Sequence, residues 1–127
     1  MRNRLVIKLA MAALALGAIL ALPAFNLGAQ EKAVAKTQTI KGEVVDLMCY
    51  LDHGARGEKH KGCASKCIKG GGPVGLLTAD NQPYLVVGDH QPMNDTLADK
   101  AAQTVTLKGK VVERHGMKMI ENAELQE

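Results

Sequence analysis

The sequence predicts a small, mainly β protein, a five-stranded barrel similar to the oligonucleotide/oligosaccharide-binding (OB) fold. Five short segments rich in Val, Ile, Leu and Thr are separated by turn residues, and one short helical segment falls between the third and the fourth. Residues 40–45 and 107–112 also share one pattern: an aliphatic residue, Lys, Gly, any residue and two Val. A Gly within a strand allows the sharp bend that a small barrel needs. A two-sheet sandwich or an open meander is the competing architecture.

The N-terminal segment has the pattern of a secretory signal. Residues 1–8 are basic and residues 9–25 form an apolar run without charge, so we predict a signal peptide at 1–29 and a periplasmic or secreted protein. The run is barely long enough to cross a bilayer, and an uncleaved anchor is the alternative and the only membrane contact expected. The formal net charge of +3 comes from this segment, because basic and acidic residues are balanced from residue 30 onward.

After the signal we expect a flexible tether at 30–36 and a single domain at 37–127. A helix is expected at 94–102 and an insert at 49–73, between the first two strands. The insert contains all three Cys, six Gly and almost no aliphatic residues. The strands are predicted, in order, at 37–48, 74–78, 84–87, 104–113 and 117–125.

The insert has the residue types of a metal site. A short helix is expected over residues 60–70, and on its surface positions i, i+3 and i+7 place His60, Cys63 and Cys67 on one face. Cys49, at the end of the first strand, completes the set, and His53 is a spare ligand. Three thiolates and one imidazole are typical of structural zinc, and thiolates also bind Cu(I). We therefore predict zinc or copper as the bound ion, in a structural or a carrier role.

A disulfide is the competing interpretation of the same cysteines. Exported domains of this size often carry disulfides, and Cys49 can pair with Cys63 or Cys67, or the last two with each other. One thiol is then left over, which favours a metal ligand, a reactive thiol or an intermolecular bond. The second hypothesis is thus a disulfide-stapled or thiol-redox interaction module without metal. The basic residues of the insert either lower the thiol pKa values or are simply solvated.

A second set of soft ligands is predicted in the last hairpin. His115, Met117 and Met119 alternate along the chain and so share one face of a strand. Imidazole and thioether ligands favour copper. The alternative is that the Met side chains fill the core of the barrel.

Other classes of function lack the residues they require. There is no P-loop, dinucleotide fingerprint or serine elbow, so we expect neither an enzyme nor a nucleotide cofactor. The Cys spacing is not that of covalent haem attachment. Oligonucleotide or oligosaccharide binding is the weakest hypothesis, because only Tyr50 and Tyr84 offer aromatic platforms after the signal. A metal ion is the only partner that the residues indicate; no nucleic acid is expected and no protein partner is specified.

The first strand and the insert contain one extended motif, Gly42-x-Val44-x-Asp46-x-x-Cys49 followed by His60-x-x-Cys63-x-x-x-Cys67-Ile68-x-x-Gly71. A hairpin with Tyr84 and a V-x-L-x-G-x-V strand follow it. With these features the chain resembles, over most of 37–120, small exported bacterial proteins of unknown function that carry a signal peptide and one OB-like β domain. The resemblance implies that Cys49, His60, Cys63 and Cys67 belong to one site, and it implies no activity. One departure is the segment 73–76, where the family pattern leads us to expect a more plainly β-type sequence.

Overall fold

The structure is a computed structural model that describes residues 35–127, so the predicted signal peptide and all but the last two residues of the predicted tether lie outside the described residues. Two 3-10 turns, Glu58–His60 and Ala98–Lys100, accompany the helices. No helix in the described part is long and apolar enough to span a membrane. The other elements are, in order, β1 (Lys36–Asp46), α1 (Leu47–His53), α2 (Lys61–Lys69), β2 (Val74–Leu77), β3 (Pro83–Val86), α3 (Asn94–Leu97), β4 (Thr104–Arg114) and β5 (Met117–Gln126).

The five strands close into a barrel in the order β1-β2-β3-β5-β4. The long strand β1 pairs with β4 along its first part and with β2 along its last part, both antiparallel. A short parallel pairing of β3 with β5 completes the circle. The prediction of a five-stranded barrel with a helical insert after β1 and a short helix between β3 and β4 is confirmed.

The two glycines of the repeated pattern lie where backbones approach closely. A Cβ at Gly42 would stand 2.6 Å from the carbonyl oxygen of Leu77, and one at Gly109 would stand 2.6 Å from Cγ2 of Ile120. Gly42 is next to the point where β1 changes its partner from β4 to β2. Gly109 faces a bulge in β5, where Asn122 adopts a positive φ of 52°. Both positions therefore require a residue without a side chain.

Two apolar clusters fix the insert to the barrel. Ile68 of α2 is fully buried in the main cluster, which the barrel strands and α3 complete. Leu47 of α1 belongs to a second cluster with Val45 and Leu77, against which Tyr50 packs. Full burial of one Leu or Ile side chain contributes roughly 1.5–3 kcal/mol. Each helix that carries cysteines is thus held by its own apolar anchor. The buried members of the main cluster are Val44, Ile68, Val74, Leu76, Val86, Leu97, Ala98, Leu107, Ile120 and Ala123.

Several predicted boundaries differ from the observed ones. Strand β1 ends at Asp46 rather than at residue 48, so Cys49 lies in a helix and not at the end of a strand. The helix predicted over 60–70 is a 3-10 turn followed by the α-helix Lys61–Lys69. The helix predicted at 94–102 consists of α3 and a 3-10 turn. The segment that departs from the family pattern does form a buried strand, Val74–Leu77, in which Gly75 makes room for the side chain of Leu47.

Candidate metal centre

The first helix of the insert begins at a buried aspartate. Asp46 has extended backbone angles, and its carboxylate accepts hydrogen bonds from the backbone N–H of Met48 (3.4 Å) and of Cys49 (3.1 Å). This is an N-cap, which ends the strand and starts α1. Asp46 is not among the predicted site residues, although an Asp directly before an apolar run is a known helix-start signal. The cap sets the position of Cys49 relative to the barrel.

The second helix carries the other two cysteines. Ala64 and Ile68 of α2 are buried against the barrel. Cys63 and Cys67 are four residues apart and therefore share one face of α2. After the helix, the N–H of Gly72 donates a hydrogen bond to the carbonyl oxygen of Cys67 (2.8 Å).

Gly72 is the point at which the end of α2 meets the start of α1. A Cβ on this residue would stand 2.8 Å from the Cys67 carbonyl oxygen and 3.2 Å from Oδ1 of Asp46. The close approach therefore requires glycine. It brings the helix that carries Cys67 to the cap residue of the helix that carries Cys49.

The three cysteines come together in space. All three Sγ atoms lie within 4.8 Å of one another, and all three residues are free thiols. Cys49 and Cys67 are half-buried, whereas Cys63 is exposed. Sulfur atoms that bind one zinc ion at about 2.3 Å in a tetrahedral arrangement are about 3.8 Å apart. The observed cluster is thus close to the spacing that a single ion requires.

The two histidines of the insert stand apart from this cluster. Among the residues at 35–127, the group of possible ligand atoms that converges here contains the three thiols and no imidazole. The rings of His53 and His60 are neighbours, with 6.1 Å between their centroids and a tilt of 58° between their planes. Nδ1 of His53 is 3.1 Å from Oδ2 of Asp52. His60 belongs to the 3-10 turn before α2, so the regular helical spacing that predicts a shared face does not reach it. Metal ligation by His53 or His60 stays a prediction.

The electrostatics of the cluster favour protonated thiols. A hydrogen bond with the Asp46 carboxylate, together with burial and nearby negative charge, raises the pKa of Cys49 to about 12. Burial also raises the pKa of the Cys67 thiol, and the neighbouring Cys63 thiol adds to this effect. The pKa values of Cys49 and Cys67 are therefore raised, and not lowered as they would be if the basic residues dominated.

Two of the four lysines of the insert pair with carboxylates outside the cysteine cluster. Lys61 Nζ is 3.3 Å from Glu58 Oε1, and Lys69 Nζ is 2.6 Å from Asp99 Oδ1. Both pairs are exposed, so water screens their charges. The buried Asp46 carboxylate is the main cause of the raised pKa of Cys49.

The second predicted ligand set lies in the hairpin between β4 and β5. His115 is an exposed turn residue with a φ of 51°, and Met117 is 75% exposed. Met119 instead lines a groove of about 470 Å³ on the barrel surface, together with Leu85, Pro92 and Glu121. Met117 therefore does not fill the core. A shared metal site of His115, Met117 and Met119 stays a prediction.

The two tyrosines of the described chain pack against apolar clusters. Tyr84 lies against the main cluster, with Nζ of Lys118 at 5.8 Å from its ring centroid, and Tyr50 lies against the second cluster. Base stacking needs an exposed aromatic face. Both tyrosines are only partly buried, and the hypothesis of oligonucleotide or oligosaccharide binding stays a prediction.

Fold and site together define a small closed β-barrel with a three-cysteine cluster on a helical insert, a cluster that can bind a metal ion. No protein-family model, curated protein or solved structure matches the chain. The function is therefore argued from the cluster itself.

Proposed function

We propose that this is an exported metal-binding protein in which Cys49, Cys63 and Cys67 hold one zinc or copper ion. The observation that carries the proposal is the convergence of three Sγ atoms within 4.8 Å, from two helices that are each anchored in the barrel. Thiolates are the ligands preferred by Cu(I) and are common ligands of zinc. Export rests on the signal pattern at 1–29 and on the resemblance to small exported bacterial proteins. Binding, and not catalysis, is the proposed role.

The two ions make different demands on the same residues. Cu(I) is a soft ion that thiolates select, and three of them suffice for it. Zinc in a structural site takes four ligands, so it needs a further donor from His53, His60 or water. If one of the histidines is the fourth donor, replacement of both by Ala weakens zinc binding; if water is the donor, zinc binding stays unchanged. Cu(I) binding is expected to stay nearly unchanged in either case.

Titration of the purified protein with Zn(II) and, separately, with Cu(I) tests the proposal. The protein is kept reduced and free of oxygen, and native mass spectrometry gives the number of bound ions. We expect one ion at the cluster. We expect each of the three single variants, Cys49→Ser, Cys63→Ser and Cys67→Ser, to weaken metal binding by at least roughly 10- to 100-fold. A loss of this size is typical when a residue that supports a metal ligand is replaced. A protein that binds neither ion would overturn the proposal.

His115→Ala is the matched control, since it removes a potential ligand on a different hairpin. If only the cysteine cluster binds metal, the variant takes up one ion with the affinity of the unmodified protein. If the set of His115, Met117 and Met119 also binds, the unmodified protein takes up two ions and the variant one.

A disulfide or thiol-redox module is the second candidate, and the same convergence favours it. Oxidation of any two of the three thiols would leave the third free, as the uneven number of cysteines requires. Trapping of thiols by alkylation at cell lysis, followed by mass spectrometry, separates the candidates. One disulfide with one alkylated cysteine and no metal supports the redox module. Three alkylated cysteines contradict it.

A further inference from the structure

The three thiols of the cluster differ in how they are held. Cys63 is exposed, while Cys49 and Cys67 are half-buried. Cys63 lies in the first turn of α2, and His60, which precedes that helix, makes no side-chain capping bond. Next to it, a Cβ placed on Gly62 would meet no other atom within 4 Å. The Cys63 side of the cluster is therefore open to solvent.

The other two ligands are fixed by their surroundings. The backbone N–H of Cys49 is bonded to the buried Asp46 carboxylate. On the far side, Nδ2 of Asn94 donates hydrogen bonds to the carbonyl oxygens of Ile68 (2.6 Å) and Gly72 (2.8 Å). These bonds tie the end of α2, next to Cys67, to α3. Hydrogen bonds thus hold the backbone near Cys49 and Cys67, and Cys63 is the exposed thiol that an incoming ligand can reach.

We infer that the site exchanges its ion with a thiol-bearing metal carrier, and that the carrier's thiol takes the place of Cys63. The inference rests on the proposed function. The incoming thiol releases its proton and forms a metal–sulfur bond, the bond between the metal and Cys63 Sγ breaks, and Cys63 takes up a proton. The oxidation state of the metal does not change. Cys49 and Cys67 hold the ion during the exchange, so that it is not lost to water.

Rescue by an external thiol tests this assignment. Cys63→Gly and the matched variant Cys67→Gly each open a gap in the cluster, and the affinities for Zn(II) and Cu(I) are measured with and without 2-mercaptoethanol. We expect the thiol to raise the affinity of Cys63→Gly by more than about tenfold. Cys67→Gly should show no such gain, because Cys67 is half-buried and is less open to an incoming thiol than the exposed Cys63. The unmodified protein at the same thiol concentration corrects for metal bound by the thiol itself.

A peptide with a single Cys, used in place of 2-mercaptoethanol, separates the two sources of the thiol. Rescue by the peptide as well assigns the exchange to a protein carrier, whereas rescue by the small thiol alone assigns it to a small-molecule carrier. Because Gly weakens a helix by up to about 1 kcal/mol, Cys63→Ala and Cys67→Ala repeat the comparison with the helix preserved.

Equal rescue at both positions, or none at Cys63, would overturn the exchange inference. An unmodified protein that binds no ion would instead overturn the proposed function. The two failures are therefore distinguishable.

Discussion

At the scale of single residues, Asp46 links the fold to the site. It is buried, with 1% exposure, and it is the only buried charged residue in the described chain. Its carboxylate caps α1 and raises the pKa of the Cys49 thiol. A buried carboxylate needs such partners because an unpaired one is costly. One side chain therefore sets both the position and the protonation of a thiol that we propose as a metal ligand.

Asp46→Asn tests this link, because Asn keeps an oxygen that can cap the helix and removes the negative charge. We expect the pKa of Cys49 to fall from about 12 toward its ordinary value of 9.0. Alkylation of Cys49 in the metal-free protein at neutral pH should become faster. The measurement is the rate of alkylation against pH, with Asp52→Asn, an exposed position in the same helix, as control. An unchanged Cys49 profile would show that Asp46 does not control the thiol.

Metal affinity should depend steeply on pH. Because the pKa values of Cys49 and Cys67 are raised, both thiols are protonated in the metal-free protein near neutrality and must lose their protons on binding. Affinity should therefore rise with pH, by about tenfold per pH unit for each proton released, or about a hundredfold for these two. Competition titrations against a chelator at several pH values measure this slope. A flat profile would mean that the thiols are already deprotonated.

The sequence predicts which cysteines form the cluster, but it does not predict whether a histidine joins them. The concentration of every Cys in one short insert is visible in the sequence, and the spacing of Cys63 and Cys67 fixes their common face. The direction of the His60 side chain depends on where the α-helix starts. His60 has 3-10 geometry, and a helix boundary that differs by one residue is enough to change that direction. Which helix face meets Cys49 is decided by Ile68 and Leu47. These anchors are close to Cys67 and Cys49 in the sequence, but the barrel residues that they pack against are distant in the sequence.

At the scale of elements, the two strand glycines give a direct test of the barrel. Gly42→Ala and Gly109→Ala place a Cβ within 3 Å of neighbouring atoms, so the strands must shift. We expect each variant to lose about 1–3 kcal/mol of stability in denaturant unfolding.

Gly62→Ala is the matched control for both. It lies in α2 with open space around it, and the change is expected to be neutral or to stabilise by up to about 1 kcal/mol. Strand variants as stable as this control would contradict the close approach of the backbones.

The strands were predictable as elements, and the first helix was not. Alternation and turn residues are local signals, and they locate all five strands to within two residues or fewer at each end. The apolar residues of α1, by contrast, continue the apolar run of β1, and a short apolar run does not distinguish strand from helix. The cap at Asp46 decides between them, because its carboxylate bonds to the backbone N–H groups of the next turn.

At the scale of the whole molecule, the barrel is complete without the cysteines. Neither apolar cluster includes a Cys among its members. Removal of the metal should therefore leave the strands in place. A free ion at 100 times its Kd stabilises a protein by about 2.7 kcal/mol, which corresponds to a shift in Tm of roughly 10–20 °C for a domain of this size.

Circular dichroism with and without a chelator measures both effects. We expect an unchanged far-ultraviolet spectrum and a lower Tm after chelation. Loss of the β spectrum on chelation would instead mean that the ion is required for folding, as in a zinc finger.

X-ray absorption spectroscopy of the metal-loaded, reduced protein tests the central claim most directly, since it counts the sulfur atoms around the ion. We predict one ion with three sulfur neighbours at about 2.3 Å, and two in Cys63→Ser. A coordination shell of nitrogen and oxygen without sulfur, or a protein that retains no ion, would contradict the claim that Cys49, Cys63 and Cys67 form a metal site.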